Sequence, residues 1–172
     1  MRKIYTHIIL FFLVIILAAC GQANADGNTD EKGKPDIIGY VMDQNDSRIL
    51  VVSAEAQDFS ANDGLSEYYD AISLSNAPEN VKIGQMVKVW IDGPVADSYP
   101  MQGKISKLEV VESSKPDGAK MTEEQALRKI IKAQPTKQMA VRNIYFDNTK
   151  NIWKVEFKEL PDGDVITIEI KD

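Results

Sequence analysis

The chain has 172 residues, 44% hydrophobic and 27% charged, with ten Gly, seven Pro and a formal net charge of −6. That length and balance suit one or two small folded domains and exclude a disordered or collagen-like chain. A single Cys excludes an internal disulfide framework, and a single His excludes zinc clusters built from several His or Cys ligands, so most familiar catalytic constellations are missing from the outset.

Arg2 and Lys3 give the chain a positive start, Ile8 to Ala19 is unbroken and apolar, and Leu17-Ala18-Ala19-Cys20-Gly21 closes the run with small residues around the cysteine. This is the pattern of a secretory signal over residues 1–19. As a helix the apolar run reaches about 18 Å at ~1.5 Å per residue, short of the ~30 Å hydrocarbon core, so it does not predict a permanent transmembrane anchor. The Leu-Ala-Ala-Cys ending resembles the lipobox of bacterial lipoproteins. That resemblance implies a thioether diacylglycerol and fatty acyl (palmitate) modification at Cys20, cleavage just before it, and a location on the extracytoplasmic face of the cell membrane. At ~0.8 kcal/mol per buried CH₂, two or three acyl chains suffice as an anchor. Loss of the signal removes Arg2, Lys3 and His7, leaving 18 basic against 26 acidic residues, net −8, and no histidine. Such a balance argues against nucleic acid as a partner.

Residues 20–36 are polar and turn-forming, with no apolar period, and read as a flexible tether from lipidated Cys20 that spans on the order of 20 Å. From 37 to 112 the pattern is short β runs. Ile37–Met42 and Arg48–Val52 flank the turn formers Asp43 to Ser47 and predict a hairpin. Tyr69–Leu74 is a weaker strand pattern, Met86–Ile91 a clear one ended by Asp92-Gly93-Pro94, and Gly103–Val111 alternates without one clean apolar face. Five short strands with a long irregular stretch from Ala54 to Glu67 suit a small OB-like antiparallel β-barrel. This segment holds twelve acidic and five basic residues.

Residues 113–121 are a linker by composition. Thr122-Glu123-Glu124-Gln125 forms a capping box at the start of a helix whose Ala126, Leu127, Ile130 and Ile131 share one face, and Pro135 is expected to stop it. Three strands follow, Val141–Phe146, Asn151–Lys158 and Val165–Ile170, the last two with period-two alternation and a tight-turn Pro161-Asp162-Gly163 between them. Residues 122–172 therefore predict an αβββ module, with nine acidic and nine basic residues. The whole chain is of the α+β class.

The lipobox, the early strands and Val81 to Val110, above all Gly93-Pro94-Val95-Ala96-Asp97-Ser98-Tyr99-Pro100-Met101-Gln102, resemble the YobA-like lipoproteins of Gram-positive bacteria, a family defined by a domain of unknown function. The resemblance implies an envelope lipoprotein and carries no catalytic residues with it. Thr122 to Ala126 and the Trp153-Lys154-Val155-Glu156 strand are similar in outline to one PepSY-type unit, which implies an association with envelope peptidases or other envelope proteins.

Four residues are candidates for a ligand loop: Asp97, Ser98 and Tyr99 between two predicted strands, with Trp90 as a stacking surface. The plainer alternatives are a β turn for the loop and core packing for Trp90 and Trp153. Ser98 as a nucleophile has only Lys104 as a nearby base. Asp43, Asn45 and Asp46 suggest calcium, but an EF-hand needs Gly and Glu where Arg48 and Ala54 stand. Asp58, Asp63, Glu67 and Asp70 contain a possible carboxylate pair for glycoside hydrolysis, or simply make a solvated acidic loop. Arg128, Lys129 and Lys132 could touch anionic envelope polymer, or be the wet face of the helix. The expectation is a non-enzymatic, membrane-anchored binding or protein-interaction module without a cofactor, and alternatively a modulator of an envelope peptidase acting through its C-terminal unit.

Overall fold

A computed structural model describes residues 33–134 and 138–172. The expected signal, Cys20, most of the expected tether and the expected stop at Pro135 lie outside the described residues. The described residues form one compact unit.

The first half is a closed barrel of β1 (Ile37–Asn45), β2 (Arg48–Ser53), β3 (Ala71–Ser75), β4 (Met86–Ile91) and β5 (Met101–Val110), joined in the order β1-β2-β3-β5-β4. Four of the five junctions are antiparallel and β3 with β5 is parallel. A ring with an odd number of strands cannot alternate direction all the way round, so one parallel pair is a condition of closure. The OB-like barrel is thus present with mixed rather than wholly antiparallel pairing. Its interior is filled by inward residues of every strand, among them Val41, Val51, Leu74, Val87, Val89 and Ile105. The unclear faces of β5 have a cause. A bulge shifts the β4–β5 register between Trp90 and Ile91, so Ile105 and Leu108, three apart, both pack toward the interior.

The second half is α1 (Glu123–Ala133) and an antiparallel sheet in the order β6 (Met139–Asp147), β7 (Ile152–Glu159), β8 (Val165–Lys171). Thr122 Oγ1 accepts from the Gln125 amide at 3.3 Å while the Gln125 side chain accepts from the Thr122 amide at 2.9 Å, completing the capping box. Ala126, Leu127, Ile130 and Ile131 are buried, as their spacing predicts.

The two halves share a core. Tyr40, Met42, Val52 and Ala71, on the outer side of the barrel, cluster with Leu127, Ile130 and Ile131 of α1 and with Val141, Val155 and Phe157 of the sheet. The outer face of β1, β2 and β3, which includes the strands that OB-type barrels turn toward ligands, is therefore largely covered by the chain's own C-terminal half.

Candidate binding surface

The β4–β5 loop, residues 92–100, rises from an ion pair of Lys104 Nζ with Asp92 Oδ2 at 3.0 Å and a bridge between Ala96 and Gln102. Ser98 Oγ donates to the Pro100 carbonyl at 2.8 Å, and Tyr99 Oη donates to the Tyr69 carbonyl at 3.1 Å. The Tyr99 ring lies 5.9 Å from Tyr68, which meets Phe59 edge-on at 5.5 Å. Three rings thus join this loop to the long β2–β3 connection. Burial, with Tyr68 and Asp70 nearby, pushes the Tyr99 hydroxyl up to about 12, so it remains a donor at neutral pH. With Lys104 held by Asp92 and Ser98 turned to a backbone carbonyl, neither is arranged as a base and nucleophile pair. Asp97 is exposed beside Tyr68. Trp90 is employed elsewhere: its Nε1 donates to the Gly33 carbonyl at 2.6 Å and Lys107 Nζ sits 4.6 Å above its ring. The structure brings Asp97, Ser98 and Tyr99 together on one loop, while Trp90 has other partners.

Several of the other charged candidates have separate local partners. Asp58 accepts from the Ser60 amide at 2.9 Å, and Asp70 accepts from the Gln57 side chain. Glu67 accepts from Tyr69 Oη at 2.9 Å and from Arg142 Nε at 2.8 Å. Burial would raise the Glu67 carboxyl, but these two hydrogen bonds and the Arg142 charge outweigh it and hold it below its usual value. Asp43 accepts from the next amide, Gln44, at 2.8 Å. Arg128 is bound to Glu124 and donates to the Ile83 carbonyl at 2.8 Å, so it belongs to the contact between the halves rather than to a free basic face.

The seam between barrel and C-terminal half holds what single residues did not foretell. Three hollows of about 310, 340 and 160 Å³ share lining residues in sequence, and Met86 lines all three. Asp36, Ile38, Glu55 and Asp70 line the first, Tyr40, Glu55, Glu123, Arg142 and Ile144 the second, and Gly84, Glu112, Glu123 and Glu124 the third. Tyr40 Oη donates to Glu123 Oε1 at 2.8 Å, and burial with the neighbouring Glu123 charge lifts the phenol well above its ordinary value. Glu55 and Glu112 are exposed and have no side-chain partner among the described residues. On the wall of the middle hollow, β6 is bulged: Val141 faces Phe157 and Asn143 faces Glu156, with Arg142 left over. Among the described residues its other edge has no strand partner. A separate hollow of about 410 Å³, lined by Arg48, Ser73, Gln102 and Gln138, is what remains uncovered of the OB-type face.

The barrel is also where the resemblance to other proteins falls. Residues 38–112 match the family described as Protein of unknown function (DUF3221). The match starts one residue into β1 and ends two residues past β5, so it takes in the barrel and stops before α1. The Uncharacterized protein YobA of Bacillus subtilis (strain 168) is 27% identical in an alignment 115 residues long that covers 60% of this chain and 93% of the relative. Both matches support a YobA-like family of unknown function, and neither indicates a catalytic family. No solved structure matches.

Proposed function

We propose that the protein is a lipid-anchored, extracytoplasmic binding protein that acts through non-covalent contacts and performs no catalysis. The observation that carries the anchoring half is Leu17-Ala18-Ala19-Cys20 behind a charged start and an apolar run. The binding half is supported by the seam, where a lined groove lies open between two halves that share one core. Metabolic labelling with an alkyne-tagged palmitate tests the anchor. The mature chain should take up label and stay with the membrane; Cys20→Ser should lose the label and be found in the medium or as unprocessed precursor. A mature, unlabelled and still membrane-bound Cys20→Ser chain overturns this reading.

A second reading, modulation of an envelope peptidase by the C-terminal half, is favoured by β8, whose outer edge has no strand partner among the described residues and could pair with an extended loop. Cross-linking through residues on β8 tests it. One reproducible peptidase, inhibited by the purified chain, supports it, and an uninhibited peptidase or no peptidase at all counts against it.

A further inference from the structure

Three features of the seam groove bear on its occupant. Met86 lines all three hollows, and Ile38, which lines the one at one end, is left 43% exposed. Six carboxylates, Asp36, Glu55, Asp70, Glu112, Glu123 and Glu124, line it against one cation, Arg142, which is already paired with Glu67. One wall is formed by Val141 to Ile144 of β6, the strand that ends the sheet opposite β8 among the described residues.

From this juxtaposition we infer that the groove binds an extended, basic segment of a partner polypeptide, its main chain laid against the free edge of β6. This rests on the binding reading above and names the ligand's chemistry. A strand added to an open edge draws affinity from main-chain hydrogen bonds and specificity from alternate side chains. With a period of two, such a segment directs one set of side chains onto Met86 and Ile38 and the other set toward the rim. Cations in the second set meet the opposite charge on the rim, which a phosphate backbone would not. Among the described residues no group of three or more acidic, His or Cys side chains is placed to hold a metal ion. Asp36, Asp70, Glu123 and Glu124 have internal hydrogen bonds or ion pairs, whereas Glu55 and Glu112 are open to a newcomer.

The experiment uses the full exported chain and a short fluorescein-labelled peptide alternating Lys and Val, followed by anisotropy at low and at physiological salt. The Lys-Val peptide binds, more weakly as salt rises. Its Glu-Val counterpart does not bind, and a version interrupted by proline, which cannot complete a strand, binds at least about tenfold more weakly. The double substitution Glu55→Lys with Glu112→Lys lowers affinity by at least about tenfold, while Glu79→Lys, an exposed charge lining none of the three hollows, stays within about twofold. Both substituted side chains are exposed, and circular dichroism confirms that the fold persists. Equal losses for Glu79→Lys and the double variant, or full binding of the proline-interrupted peptide, reduce the effect to attraction between a polycation and an acidic protein and overturn the inference. No binding of the Lys-Val peptide also overturns it, while the Cys20 labelling, which does not involve the groove, still judges the anchor on its own.

Discussion

Barrel and C-terminal half are built on opposite terms. The barrel closes on itself, leaves no strand edge unpaired and fills its interior from its own five strands. Among the described residues the C-terminal half is an open three-stranded sheet and one helix, and its Val155 and Phe157 cluster with the barrel's outer Tyr40, Met42 and Val52 as well as with Leu127, Ile130 and Ile131 of α1. Charge divides the same way: between residues 37 and 112 acids outnumber bases twelve to five, while from 122 onward they are nine and nine. The net charge of −6 thus comes almost wholly from the strongly anionic, self-contained part, the dependent one being neutral. The difference teaches that the acidic seam arises from docking: a neutral half laid over part of an acidic barrel leaves the barrel's carboxylates along the join.

The sharpest way to break that comparison is to empty the shared core. Phe157 is 2% exposed, and Phe157→Ala should remove about 3–5 kcal/mol of stability. Each half carries one tryptophan, Trp90 on β4 and Trp153 on β7, so Trp153→Phe and Trp90→Phe backgrounds report the halves separately in urea. If the core is shared, both midpoints fall together in the Phe157→Ala chain. A Trp153 midpoint that falls while Trp90 holds its place would show that the barrel stands alone and the C-terminal half merely leans on it.

How much of this was legible in residues alone follows from the range of the interactions. Strand and helix positions rest on local pattern, so the hairpin, the capped helix and the alternating β7 and β8 were readable. The sharing of a core is long-range, yet it left one signal. Ile38-Gly39-Tyr40-Val41-Met42 and Leu50-Val51-Val52 are apolar at consecutive positions, whereas a barrel strand with one wet face should alternate. Those unbroken runs mark strands covered on both sides. Asp97, Ser98 and Tyr99 fall on one loop because they are contiguous. Trp90 suggests a stacking surface by its residue type alone, and its partners, Gly33 and Lys107, are set by the barrel's closure. The groove was the least legible of all, since Asp36, Glu55 and Glu123 meet only when the halves dock.

A gentler disturbance tests the docking itself. Gly84 has φ +86°, and a Cβ there would come within 2.8 Å of the Arg128 nitrogen and the Glu124 oxygen on α1. Gly93 has φ +74° with nothing within 4 Å. Gly84→Ala and Gly93→Ala both force a side chain into the left-handed region, at about 1–2 kcal/mol each. Only Gly84→Ala also presses on α1, so it should cost about 1–3 kcal/mol more and shift the Trp153 signal as well. Equal losses for the two variants would mean that α1 yields without resistance and that the seam is loose.

The smallest effect lies at the far end of the dependent half, and it sharpens the contrast through pH. Asp172 accepts from the Lys120 amide at 2.6 Å, from the Met121 amide at 3.0 Å and from Trp153 Nε1 at 3.0 Å, tying the final strand to the approach to α1. Partial burial works to raise its carboxyl, but these three donors outweigh it and hold the group below its ordinary value of 3.8. A carboxyl that titrates lower when folded stabilises the fold above its unfolded value, and that contribution fades as pH falls through the lowered folded value. Asp172→Asn should therefore be less stable than the parent at neutral pH, and the two stability curves should converge in acid. Trp153 fluorescence in the Trp90→Phe background reads the change at the bond itself. Curves that stay parallel from neutral pH into acid would show that the ionised carboxylate contributes nothing beyond what an amide oxygen supplies, leaving shared apolar burial as what holds the C-terminal half in place.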